Sequence, residues 1–207
     1  IAHWGCETVV TRDLTIKSSG GDGIYLGANW YNIRELNAPP TQRGLSRPGR
    51  NILIENVICD DHQRQGISVI SASNLRIRRC VLKNTRGTAP AAGIDFEPNA
   101  ANEIIQDCIM EDCLVENNSG GGILVATEIN TPVDLIIRRC EIIGGSRGIS
   151  CTPPTDRRRT NPGKVEVTDC KFRDNTNSGI VVGNHLAKFY RITFRNCHLA
   201  NSGTARG

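Results

Sequence analysis

One hydrophobic pattern recurs along the whole chain. The dipeptide Gly-Ile occurs six times at the head of a short apolar run. The copies begin at Gly23, Gly66, Gly93, Gly122, Gly148 and Gly179. Their spacing of 26 to 43 residues is typical of a stack of similar coils rather than of a globule around one central core.

A second set of columns appears when the segments before these dipeptides are aligned on one anchor position. The anchors are Leu14, Val57, Cys80, Cys113, Cys140, Cys170 and Cys197. The residues five and three before the anchor and two after it are apolar in nearly every copy. Such alternation, interrupted by Asn, Asp and Gly, predicts strands with one buried face.

The coil length and the turn residues together predict the architecture. Anchors after the first lie 23 to 33 residues apart, with no amphipathic helical stretch between them, which predicts an all-β parallel β-helix. Four residues after the anchor comes a column of turn-forming residues. Its members are Ser18, Asp61, Asn84, Asn117, Gly144, Asp174 and Asn201.

The repeat resembles that of pectate-lyase-like proteins over residues 6–201. This resemblance implies a single-stranded right-handed parallel β-helix of about seven coils. Segments 61–68 (DHQRQGIS) and 93–99 (GIDFEPN) are similar to sequences in bacterial and phage β-helix proteins that act on polysaccharides. The Gly-His-Gly and Arg-Ile-Lys motifs of polygalacturonase-type hydrolases are absent from the sequence, so that particular family is not indicated.

Composition agrees with one solenoid domain over residues 1–207. Aromatic residues make up 4% of the chain and 21 residues are glycine, which suits thin aliphatic ladders and many turns. No apolar run approaches the 18 residues of a membrane span.

The sequence starts without Met and within the first coil, so we expect a piece of a longer chain whose end coils are capped by missing residues or by another chain. An extracellular, periplasmic or virion location is expected.

The nine cysteines are predicted to be structural thiols. Five of them share the anchor column, and stacked free cysteine fills a core as a small hydrophobe. No CxxC motif occurs and the four histidines lack metal-ligand spacing. We therefore expect no metal and no cofactor, except calcium if the protein is a lyase.

Insertions beside the Gly-Ile strands predict a groove. Long inserted segments occupy residues 27–50 and 152–163. The segment before the third Gly-Ile dipeptide, residues 85–92, is also slightly longer than its equivalents in the other repeats. Loops on a regular scaffold often carry function. The floor between these loops would be the outward residues of the strands, and these are Tyr25, Ser68, Asp95, Leu124, Ser150 and Val181.

Two carboxylates distinguish the third copy. Asp95 and Glu97 are predicted on one face of one strand, about 6.6 Å apart. A carboxyl pair can serve glycoside cleavage as acid and base or nucleophile. Asp22 and Asp60 would assist from neighbouring coils. Outward carboxylates on a solvated sheet face are the alternative interpretation.

Further candidates would bind substrate. Arg64, Arg86 and Arg147 lie in turns that lead toward the same face, where an arginine can clamp a uronate or act as base in an elimination. Trp30 and Tyr31 would stack on a sugar ring or hold their loop down as an apolar plug. The net charge of +4 disfavours nucleic acid and favours a polysaccharide, with anionic chains steered by the arginine-rich rim.

The sequence therefore favours a carbohydrate-active enzyme, with carboxylate-assisted hydrolysis by Asp95 and Glu97. One alternative is a calcium-dependent polysaccharide lyase in which an arginine abstracts the proton. The other is a non-catalytic β-helix, such as an adhesin, a tailspike shaft or a filament segment.

Overall fold

The described residues form two parallel sheets. The computed structural model describes residues 1–28, 47–100, 102–127, 131–153, 162–183 and 189–203. They contain nineteen strands and no helix, and accordingly no helix able to span a membrane. One sheet has, in spatial order, β1 (Ala2–Trp4), β3 (Ile24–Gly27), β5 (Ile67–Val69), β8 (Ala92–Phe96), β11 (Gly121–Ala126), β14 (Arg147–Thr152) and β17 (Ser178–Val182).

The second sheet has twelve strands. In chain order these are β2 (Glu7–Lys17), β4 (Gly49–Asp60), β6 (Ala72–Arg78), β7 (Val81–Lys83), β9 (Ile105–Glu111), β10 (Leu114–Glu116), β12 (Val133–Arg138), β13 (Glu141–Ile143), β15 (Gly163–Thr168), β16 (Lys171–Arg173), β18 (Tyr190–Arg195) and β19 (His198–Ala200). Each strand pairs with its counterpart in the next repeat rather than with its neighbour along the chain. This pairing defines the stack of coils that the sequence predicts, although the number of coils stays a prediction.

The predicted columns are the registers of the sheets. Along the seven-stranded sheet the isoleucines of the Gly-Ile dipeptides are paired in sequence, from Ile24 to Ile180. The column two after the anchor is likewise paired from Ile16 to Leu199. Apart from the exposed Leu199, these side chains belong to one continuous core or pack against it. The alternation therefore identified the inward face correctly.

Left-handed backbone at two corners turns each coil. All seven members of the turn column have φ between 51° and 68°, and Asn and Asp tolerate this region. A second corner, which the sequence analysis missed, directly precedes the anchor, with φ of 52° to 56°. Its members are Asp13, Asn56, Arg79, Asp112, Arg139, Asp169 and Asn196.

Ion pairs between coils hold the second corner. Arg139 lies in the left-handed region although arginine has no local preference for it. Its Nε donates to Asp112 Oδ1 at 2.7 Å, and its Nη2 donates to Glu111 Oε2 at 2.8 Å. Arg78 and Arg79 both donate to Glu55 in the same way. The charges thus bind one coil to the next where the turn residue itself is unfavourable.

The cysteines lie in the solenoid wall as free thiols. Seven are buried, and Cys6 and Cys197 are half-buried. In the anchor column Cys113 Sγ accepts a hydrogen bond from the backbone N of Cys80 at 3.4 Å. The prediction of structural thiols is confirmed.

The inserted segments are described in part. Residues 29–46, which include Trp30 and Tyr31, lie outside the described residues, as do residues 154–161 within the second insertion. The walls that these segments were expected to form stay predictions. The assignment of one domain over the whole chain stays a prediction as well.

Replacing Asn117 tests the left-handed corner. Asn117 is exposed and has φ 55°, so Asn117→Val should lower the free energy of unfolding by about 1 to 2 kcal/mol, because a β-branched residue is strained there. Asn117→Gly should be close to neutral. Urea denaturation measures both, with Lys171→Val on an exposed strand position as control. An equal loss of unfolding free energy in Asn117→Val and Asn117→Gly would contradict the left-handed backbone conformation at this corner.

Thiol labelling tests the burial of the cysteines. In the native protein, iodoacetamide should modify Cys6 and Cys197 first, because these two are half-buried and the other seven are buried. The remaining thiols should react only after denaturant is added. Peptide mass spectrometry reads the sites, and early modification of Cys113 or Cys140 would show that the anchor column is open.

Candidate active site

The outward column of the seven-stranded sheet forms the floor of the site. Tyr25, Ser68, Asp95 and Leu124 are cross-strand partners in that order, as the alternation predicts. The alternative interpretation of a solvated sheet face does not hold for Ser68 and Asp95, however. Ser68 and Asp95 are buried, with 1% and 0% of their surface exposed. Asp95 therefore cannot be a solvated surface carboxylate.

Gln65 fixes the carboxyl group of Asp95. The Nε2 of Gln65 donates to Asp95 Oδ2 at 3.1 Å. Gln65 Oε1 accepts a hydrogen bond from the backbone N of Ala92 at 2.9 Å, which sets the orientation of the amide. Asp95 Oδ1 is buried and accepts no hydrogen bond from a donor group among the described residues. Gln65 thus holds one oxygen, and a hydrogen bond between the carboxyl groups of Asp95 and Glu97 links the pair.

The surroundings of Asp95 favour its protonated form. Burial raises its pKa from 3.8 to about 8, and the negative charge of Glu97 adds to this effect. Desolvation disfavours the charged form of a carboxyl group, and a neighbouring carboxylate disfavours it further. The side chain of Glu97 is 32% exposed. The pair therefore consists of a buried proton carrier and a partner that a ligand can reach.

Arg64 joins two of the predicted carboxylates. Its Nη1 lies 3.4 Å from Asp22 Oδ2, and its Nη2 lies 4.0 Å from Glu97 Oε2. Asp22 Oδ1 is buried and unpartnered within the described part of the chain. Asp22, Arg64, Asp95 and Glu97 thus form one cluster, as the sequence analysis expected for neighbouring coils.

Tyr25 belongs to the same cluster, although it was predicted only as part of the floor. Its pKa is raised, first by burial and then by the charges of Glu103 and Asp22. Its ring packs against Trp4 at a centroid distance of 4.8 Å and an angle of 44°. Its place in the outward column, two strands from Asp95, was the signal that could have identified it.

Glu103 is a further residue that the sequence analysis missed. Its carboxylate accepts hydrogen bonds from the backbone N of Asn99 at 2.6 Å and of Ala100 at 3.0 Å. Burial raises its pKa. It follows β8 in irregular backbone, outside every repeat column, so no signal in the pattern marked it.

Two predicted residues lie elsewhere. Asp60 ends β4 of the twelve-stranded sheet, where it accepts from Nδ2 of Asn84 at 2.7 Å and lies 3.7 Å from Lys17 Nζ. Arg86 is bound to Asp61, with Nη2 2.7 Å from Oδ1. Among the described residues neither makes a hydrogen bond or ion pair with Asp95 or Glu97. The structure therefore does not bring Asp60 and Arg86 into the cluster, and roles for them stay predictions.

The described residues offer no ready metal centre. No group of three or more His, Cys, Asp or Glu side chains among them is placed to hold a metal ion. The guanidinium of Arg64 lies between Asp22 and Glu97. Calcium as a cofactor stays a prediction tied to the lyase alternative.

Comparison with known proteins identifies the family. The model of the family described as "Right handed beta helix region" matches residues 5–134, more than half of the chain. The chain therefore belongs to this family, and its fold is a right-handed parallel β-helix. No curated protein matches the sequence.

One similar solved structure is the A-module of the mannuronan C-5 epimerase AlgE4 from Azotobacter vinelandii. It is 13% identical, and the alignment covers 95% of this chain and 54% of that chain with a TM-score of 0.48. This chain thus spans about half the length of that structure.

Asp95 should make stability fall with increasing pH. Its pKa is higher in the folded state than the ordinary 3.8, so its contribution is present below about pH 4 and is lost as pH rises through about 8. Between about pH 4 and pH 8, the free energy of unfolding of the wild type should fall by up to about 1.4 kcal/mol per pH unit relative to that of Asp95→Asn.

Urea denaturation from pH 4 to pH 9 measures this difference. Asp134→Asn, a carboxylate of β12 in the other sheet, serves as the matched control and should follow the wild-type curve. Parallel curves for the wild type and Asp95→Asn would show that Asp95 is ionised in the folded protein at neutral pH.

Proposed function

We propose that this protein binds a polysaccharide across the outer face of the seven-stranded sheet and hydrolyses a glycosidic bond there. The observation that carries the proposal is the pair of a buried, protonated Asp95 and a partly exposed Glu97. Glycosidases need one carboxyl group that is protonated at working pH and one that is ionised.

The two members of the pair have different roles in this proposal. Glu97 is the member that contacts the sugar, because its side chain is exposed and that of Asp95 is not. The proton that Asp95 retains passes through Glu97 to the leaving oxygen. Asp95 is then a positioning and proton-supplying residue, and Gln65 fixes its orientation.

The proposed step balances its protons within the cluster. The glycosidic C–O bond breaks, its electron pair moves to the leaving oxygen, and that oxygen takes the proton of the Asp95–Glu97 pair. Water adds to the anomeric carbon and loses a proton to Asp22. The guanidinium of Arg64, near both Asp22 and Glu97, stabilises whichever carboxylate is charged.

A lyase is the second candidate, because an arginine lies inside the carboxylate cluster. Arg64 is close to Asp22 and Glu97. The charges of these three residues also affect the pKa of Tyr25. In an elimination the base removes a proton next to the uronate carboxyl group, and a carbon–carbon double bond forms as the leaving oxygen departs. Calcium held by carboxylates would assist this reaction.

Asp95→Asn and Glu97→Gln test the hydrolase. We expect each change to lower the rate of reducing-end formation on a responsive polysaccharide by about a hundredfold or more, the typical contribution of acid–base catalysis. Wild-type activity should fall as pH rises above about 8, where Asp95 loses its proton. Reducing-end assays over a panel of neutral and anionic polysaccharides measure both effects.

Two carboxylates of the other sheet supply matched controls for this assay. Asp134→Asn in β12 and Glu116→Gln in β10 make the same chemical changes away from the cluster, and they should leave activity unchanged. Full activity in the Asp95→Asn, Glu97→Gln double variant would sink the proposed site. A new ultraviolet absorbance, abolished by chelator, would identify the lyase instead. A protein that binds polysaccharide without either product would be the non-catalytic β-helix.

A further inference from the structure

A pocket lies near the starts of β8, β11 and β14, and one of its lining residues is the cross-strand neighbour of Asp95. Its volume is about 230 Å³, and its lining includes Pro90, Leu124, Arg147 and Ser150. Leu124 is the cross-strand partner of Asp95, and Ser150 is the partner of Leu124. With strands about 4.8 Å apart, Leu124 and Ser150 lie roughly 5 and 10 Å from Asp95 along the stack, and Arg147 lies about 10 Å from Ser150 toward the start of β14.

The shape of the pocket depends on glycines at the start of β11. Gly120 approaches the preceding coil so closely that a Cβ would lie 1.6 Å from the carbonyl oxygen of Pro90. Gly121 also lines the pocket, and a Cβ there would lie 3.2 Å from the carbonyl oxygen of Arg147. The pocket is therefore built where backbone, rather than side chains, forms part of the wall.

Arg147 is an uncommitted cation at this pocket. It is exposed at the start of β14, and within the part of the chain that the structure describes its side chain makes no hydrogen bond or ion pair. The other arginines near the site are engaged, Arg64 with Asp22 and Glu97 and Arg86 with Asp61. An unpaired guanidinium can bind a carboxylate or sulfate through two parallel hydrogen bonds.

The remaining lining fits a ring with an apolar face. Leu124 and Pro90 supply apolar surface, and Ser150 supplies a hydroxyl group. A cavity of about 150 Å³ accommodates a benzene-sized ring, so a pocket of about 230 Å³ has room for one substituted ring. A sugar unit presents C–H groups on one face and an anionic substituent at its edge when it carries a carboxylate or sulfate.

We propose that this pocket is a subsite for one anionic sugar unit, with Arg147 on its charged group and Leu124 under its ring. The inference rests on the proposed function, because it assigns a binding site for one unit of the polymer whose bond is cleaved at Glu97. In this proposal, the protein selects its substrate by the negative charge of the sugar unit that the pocket binds. Arg147 is then a specificity-determining residue rather than a member of the acid–base pair.

Affinity electrophoresis in gels that contain a polysaccharide tests the subsite. The probes are polygalacturonate for carboxylates, dextran sulfate for sulfates, and galactan and dextran as the neutral partners of each. The wild type should be retarded by one charged polymer at least tenfold more strongly than by its neutral partner. Arg147→Gln should lose about tenfold in that affinity, and Arg147→Lys should lose less, because the charge remains. The matched control is Arg191→Gln, an exposed arginine of β18, which should behave as the wild type.

The outcomes separate the subsite from the function on which it rests. If the wild type binds neutral and charged polymers equally, or if Arg147→Gln behaves as Arg191→Gln, the subsite is overturned and the proposed function stands. If the wild type binds none of the four polymers, the proposed function fails and the subsite fails with it. Retardation by polygalacturonate or by dextran sulfate identifies the charged group as carboxylate or sulfate.

Discussion

Parallel pairing of each strand with its counterpart in the next repeat is the constraint on which the rest of the structure depends. Backbone N–H and C=O groups of one coil are satisfied by the next coil, so every coil must return to the same register. The left-handed corners make this possible, because they turn the chain sharply at the same two places in each repeat. Because alternate side chains of each strand then point into the space between the sheets, the inward positions must be apolar.

The same constraint determines where polar groups stand. At the corner before the anchor, unfavourable residues such as Arg79 and Arg139 are held by carboxylates of the neighbouring coil, Glu55 and Glu111. These contacts stabilise the stack, and the side chains that form them are already paired with one another. On the outward face of the seven-stranded sheet, by contrast, one oxygen of the buried Asp95 carboxyl group accepts no hydrogen bond from a donor in the described part of the chain. Burying such a group has an energetic cost, and natural proteins accept that cost most often at functional sites.

Sequence alone predicted the columns, the inward and outward parity and the grouping of Asp22, Arg64, Asp95 and Glu97. Those features follow from period and register. It could not predict that Asp95 is buried, since exposure depends on what lies over the sheet rather than on alternation along a strand. The hydrogen bond from Gln65 was missed for a related reason, because its column is otherwise occupied by unrelated residues and carries no pattern.

The regularity of the scaffold also explains why the site can be so asymmetric. Cross-strand neighbours on the outward column lie about 4.8 Å apart, and the side chain in this column changes from one strand to the next. Tyr25 and Asp95 are separated by Ser68, and Leu124 follows Asp95 on the other side. Asp95 thus has an aromatic side chain two strands away in one direction and, in the other, the pocket that Leu124 and Arg147 line. The two sides of Asp95 along this β-helix face therefore differ without any departure from the repeat.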